Sequence, residues 1–135
     1  MEITVSGRKR TPLNAIACAM AAALVMKLFL FDFVIAEGHS MSPVIEPGKI
    51  LLVYKLAYGF RLPGAEKYLV RWAYPSDGDI VVFYTPLGET AVKRSGWLSG
   101  GDFYALGDNS LQSYDSRSYG PVPADNIIGR VMGIK

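Results

Sequence analysis

Polar residues are nearly missing from one early stretch of the chain and then return in short alternating runs. In residues 13–26 only Asn14 is polar, and after Lys27 the apolar run resumes at 28–31 and, past Asp32, at 33–36. Fourteen residues of α-helix reach about 21 Å, short of a hydrocarbon core of about 30 Å. If Lys27 turns its amine outward, residues 13–31 give nineteen positions and about 28 Å, which spans. The AMAAALVMKL segment consists largely of good helix formers, so a helix is predicted there. Beyond it come VIAEG, KILLVYK, GDIVVFYT, ETAVKR, DFYALGD and NIIGRVMGIK, each five to ten residues long, rich in β-branched or aromatic side chains and separated by Gly and Pro. They predict antiparallel strands and no long helix. The fold expected is therefore mainly β. Residues 1–33 would form a cytoplasmic N-terminus and transmembrane anchor, and residues 34–135 a single antiparallel β domain.

Composition agrees with this division. The chain has 135 residues, room for one domain, and is 50% hydrophobic, an excess that the anchor absorbs. Arg8, Lys9 and Arg10 precede the apolar run, so the positive-inside rule places the N-terminus in the cytoplasm and the β domain across the membrane. A cleavable signal peptide also begins basic and apolar. Here, however, the run passes through LFLFDFVIA into GHSM without a polar spacer, and a cut near Ala36 or Gly38 would remove the first strand. The stretch AYGFRLPGAEKYLVRWAYPSDG holds Phe60, Leu62, Tyr68, Leu69, Trp72 and Tyr74 among basic residues. It suits either a headgroup surface or a loop folded over the core.

Several chemistries are excluded. The single cysteine, Cys18, lies in the anchor, which leaves no disulfide framework and no thiolate metal site. One histidine is too few for a zinc hydrolase. A net charge of +2 gives no nucleic-acid surface. Asp77, Asp79, Asp108 and Asp115 sit in or near DG and GD turns, where acidic residues are usually turn formers rather than a carboxylate dyad. No metal or cofactor is expected.

One constellation remains. Ser40 stands before a proline turn in GHSMSPVI, and fifty-three positions later Lys93 closes an apolar strand in GDIVVFYTPLGETAVKR. A serine and a buried lysine are the parts of a Ser-Lys hydrolase, in which a neutral amine takes the hydroxyl proton. A free lysine has a pKa near 10.4, so burial must depress it by roughly 2 to 5 units for it to act as a base near neutrality. His39 is a poor base for its own neighbour, since strand alternation would turn the two side chains to opposite faces.

GHSMSPVI, PGKILLVYKLAYGF, GDIVVF, VKR and GDNSLQSYDSRSYGPV, in this order and spacing, resemble the type I signal peptidases from about Lys27 onward. The resemblance implies a bacterial-type endopeptidase of the inner membrane, with its catalytic domain on the outer face, that removes signal peptides from exported precursor proteins. It implies Ser40 as nucleophile, Lys93 as general base, Ser113 as the hydroxyl orienting the amine, and Asp108, Asp115 and Arg117 as a bracing polar network. Asp115 and Arg117 should pair, because a lone carboxylate beside Lys93 would raise its pKa again, and the oxyanion would meet the N–H of Ser40. It further implies shallow pockets for small side chains lined by Val34, Ala36, Met41, Ile45 and Val92.

The chain departs from the family pattern in three places: Gly38, where one branch carries an oxyanion-binding hydroxyl; Val44, where a threonine is usual; and residues 94–106, where most members insert further strands. Two relatives in chemistry stay open: the self-cleaving repressors, which lack an anchor and the GDN-to-DSR motif, and a dedicated maturation peptidase of a pilus or conjugation system. Oligomeric state is not legible.

Overall fold

The structure is a computed structural model that describes residues 12–134; the basic triplet Arg8, Lys9 and Arg10 lies outside them. The apolar segment is helical from Pro12 to Leu30, as α1 (Pro12–Val25) followed by one wider π-type turn, Met26–Leu30. None of it is buried against the rest of the protein. An apolar helix of 19 residues, about 28 Å long, that touches the β domain at its last turn satisfies its own backbone and has the length of a membrane span.

The helix gives way directly to β1 (Phe31–Ile35), so the first strand begins three residues earlier than VIAEG suggested. It is followed by β2 (Ile50–Tyr54), β3 (Gly59–Phe60), β4 (Val70–Arg71), β5 (Ile80–Tyr84), β6 (Thr90–Ser99), β7 (Asp102–Leu106), a one-turn α2 (Ser116–Tyr119), β8 (Val122–Pro123) and β9 (Ile127–Val131). Seven strands form one antiparallel sheet in the order β1-β2-β9-β5-β6-β7-β8. The aromatic and basic stretch 57–78 contains a small β3–β4 hairpin.

The central strand β5 explains why GDIVVFY shows no polar alternation. Ile80 and Val82 enter one buried cluster with Leu51, Val53, Met41 and Ile45, whereas Val81 and Phe83 enter another with Phe103, Ala105 and Ile127. Both faces of the strand are covered, and each such side chain contributes about 1.5 to 3 kcal/mol on leaving water. The 57–78 region divides between its two readings: Tyr58 and Tyr68 pack on the second cluster, while Leu62, Leu69, Trp72 and Tyr74 are exposed. Between β6 and β7 the chain turns at Gly100 and Gly101, both at positive φ, which only glycine adopts without strain. The result is a tight hairpin, with Ser99 paired to Asp102.

Candidate active site

Ser40 lies in the turn that leaves β1. Buried Met41 and Ile45 root this turn in the core, the Ile45 N–H donates to Met41 O, and Asn109 N–H donates to Ser40 O at 2.9 Å. Lys93 is carried on β6 opposite Val81 and is 6% exposed. The two meet: Lys93 Nζ is 2.6 Å from Ser40 Oγ. His39 is exposed and stands in the turn rather than on a strand. Among the described residues the Ser40 N–H donates to no protein acceptor.

Burial pushes the Lys93 amine below its ordinary value, since the charged form is desolvated; Asp115 opposes this and Arg117 assists it. Asp115 is fully buried. It accepts from Gly107 N at 2.8 Å, from Ser113 Oγ at 2.7 Å, and from the N, Nε and Nη2 of Arg117. Burial alone would raise its pKa, but the Arg117 guanidinium and the other donors outweigh burial and hold it far below the carboxylate range. The Asp115–Arg117 pair is thus present as expected.

Two expectations change in detail. Ser113 donates to Asp115, and among the described residues it makes no hydrogen bond to Lys93. Asp108 does not join Asp115 and Arg117; it takes both Nε and Nη2 of Arg94, at 2.8 and 2.9 Å, while Arg94 Nη1 donates to Gly78 O. Arg94 is the residue that sequence reasoning missed. The sequence shows it only as the neighbour of Lys93, with nothing that marks Asp108 as its partner. Through Asp108 it fixes the turn whose Asn109 N–H holds Ser40 O.

A groove of about 590 Å³ opens beside Ser40 and Lys93 and is lined by Val34, Ala36, Met41, Ile45 and Val92. Tyr114 and Tyr119, not anticipated, close one side, in edge-on contact at 5.3 Å between ring centroids. Among the described residues two strand edges are free along it: β1 pairs only with β2, and β6 pairs with β7 only from Arg94 onward.

Compared with known families, the chain matches the signal peptidase, peptidase S26, model over residues 9–100 and 90–134. It belongs to this peptidase family. It is 27% identical to signal peptidase I of Bacillus caldolyticus over 163 aligned positions, covering 91% of this chain and 87% of that protein. It is 42% identical to signal peptidase I of Pseudomonas aeruginosa over 115 positions, covering 82% of this chain but 38% of that protein. The mitochondrial ATP-independent inner membrane protease subunit 1b of Arabidopsis thaliana is 31% identical over 121 positions, with 72% and 65% covered. The chain therefore spans well under half the length of the Pseudomonas relative.

Proposed function

We propose that this chain is a membrane-anchored serine endopeptidase that uses Ser40 and Lys93 to cleave signal peptides from precursor proteins after small residues. The observation that carries the reading is the 2.6 Å contact between a buried Lys93 amine and Ser40 Oγ. Neutral Nζ takes the proton of Ser40 Oγ, and the oxygen attacks the scissile carbonyl carbon. The Ser40 N–H meets the developing oxyanion. Protonated Lys93 then returns the proton to the leaving amine as the C–N bond breaks, leaving an acyl ester on Ser40. The same amine deprotonates the water that hydrolyses the ester. Asp115 and Arg117 form a nearly neutral pair beside the amine, so neither charge alone governs it.

The free edges of β1 and β6 would pair with an extended substrate backbone, in the manner of strand addition. The apolar lining from Val34, Ala36, Met41, Ile45 and Val92 then selects small side chains. The helix 12–30 supports a retained anchor, and Arg8, Lys9 and Arg10 support a cytoplasmic N-terminus with the groove on the outer face of a bacterial inner membrane. The minimal β6–β7 hairpin favours, as a second reading, a dedicated maturation peptidase with one partner. Incubation of the purified chain in detergent with a generic Ala-x-Ala precursor and with a panel of unrelated precursors tests both. Cleavage of many supports the general peptidase, and cleavage of one supports the dedicated one. Ser40→Ala should cleave none, and undiminished cleavage by Ser40→Ala would refute the dyad.

A further inference from the structure

Arg61 is the one described arginine whose guanidinium faces no carboxylate. Arg71, Arg94, Arg117 and Arg130 face Asp125, Asp108, Asp115 and Asp79. Arg61 instead gives Nη2 to the main-chain oxygens of Glu66 and Asp125 and lies over the Tyr68 ring at 4.9 Å. Its Nε is buried without a hydrogen-bond partner. Main-chain carbonyls and a ring face accommodate this cation but do not neutralise it.

The same side chain lines a cleft of about 430 Å³, within the size range of small-ligand sites. One wall is the end of the apolar helix, Leu28 and Phe29, held by the stack of Phe29 on Phe60 at 5.8 Å. Leu28 and Leu62 form an exposed apolar lip, at 39% and 48% exposure. Lys55 adds a second cation, although its amine already holds Lys27 O and Leu28 O at 2.9 and 3.3 Å and lies 3.5 Å from Asp32. Glu66, exposed, is the acidic residue of the lining.

A cleft that is cationic inside and apolar on the side of a membrane helix has the layout of a bilayer interface. We propose that it binds the headgroup phosphate of an anionic membrane phospholipid, with Arg61 on the phosphate oxygens and the acyl chains along Leu28, Leu62 and α1. With both Nη2 hydrogens given to carbonyl oxygens and Nε buried, Arg61 offers a phosphate oxygen its Nη1 hydrogens and its permanent charge, and anionic lipids concentrate at such basic sites beside a membrane segment. The proposal rests on residues 12–30 spanning the membrane and is independent of the peptidase chemistry.

Native mass spectrometry of the full chain in detergent, titrated with phosphatidylglycerol or phosphatidylcholine, tests it. Phosphatidylglycerol should be retained at about tenfold lower concentration, a difference of about 1.4 kcal/mol. Arg61→Gln should erase that preference and Arg61→Lys should keep part of it. Ala65→Phe, which narrows the cleft while Arg61 itself is kept, should weaken retention while the circular dichroism spectrum is unchanged. Ser40→Ala, and the triple change Arg8→Gln, Lys9→Gln, Arg10→Gln, should bind as wild type. Equal retention of the two lipids, loss of the preference only in the triple variant, or displacement of phosphatidylglycerol by equimolar inorganic phosphate would each overturn the proposal. Because Ser40→Ala removes cleavage and not binding, failure here is distinct from failure of the peptidase reading.

Discussion

The hydroxyl of Ser113 donates to the buried Asp115 carboxylate at 2.7 Å, which commits its one proton and leaves only lone pairs for any other partner. Toward Lys93 it can act only as an acceptor, and catalytic hydrogen bonds that are absent or long without substrate commonly tighten in the bound complex. Ser113→Ala should lower kcat by about 5- to 30-fold, the equivalent of one hydrogen bond of about 1 to 2 kcal/mol, with KM little changed. Ser113→Thr should restore most of the rate. Steady-state cleavage of a precursor peptide checks both, and a wild-type kcat for Ser113→Ala would remove Ser113 from the site.

Arg117 lowers the Lys93 pKa and Asp115 raises it. Removing the guanidinium leaves the carboxylate unopposed, so the charged amine is favoured and must be titrated at higher pH. The acid limb of the rate profile for Arg117→Gln should therefore move to higher pH than in wild type. A limb that stays put or moves down would show that the titrating group is not Lys93.

The central strand and the meeting of Ser40 with Lys93 were legible in the sequence because each rests on a local pattern. GDIVVFY is apolar without alternation and is buried on both faces, and Ser40 and Lys93 stand where a turn and a strand expose them to each other. The boundary of β1 was less legible, because Phe31 and Phe33 are as apolar as the helix before them and periodicity does not change at the junction. The division of the polar residues between Asp115–Arg117 and Arg94–Asp108 was not legible at all. It depends on the β6–β7 register, in which Arg94 lies opposite Leu106, and no spacing along the chain encodes that pairing.

Gly107 is held by close approach rather than by an unusual φ. A Cβ at this position would lie 2.0 Å from Ser113 Oγ and 2.7 Å from Ser40 O, and the second contact is main chain that cannot step aside. Gly107→Ala should destabilise the domain by about 1 to 3 kcal/mol, as overpacking does, and should lower kcat more than stability accounts for because it displaces Ser40. Thermal denaturation and turnover on the same preparation separate the two effects.

Lys93 is expected to act as a neutral base, and its burial makes the claim testable from stability as well as rate. Its folded-state pKa lies below the ordinary value, so below that pKa the native state holds a buried charge that the unfolded chain solvates freely. As pH rises through the folded pKa the native amine loses its proton first, and stability increases until the unfolded lysine also titrates near 10.4. Lys93→Met, which keeps the volume and removes the charge, should raise Tm by a few degrees at neutral pH, and the gain should shrink as pH approaches 10.4. Lys93→Arg keeps a cation that cannot deprotonate in a protein. It should be as inactive as Lys93→Met without sharing its stability. Measurable turnover by Lys93→Arg, or a Tm advantage of Lys93→Met that is constant with pH, would place the base elsewhere.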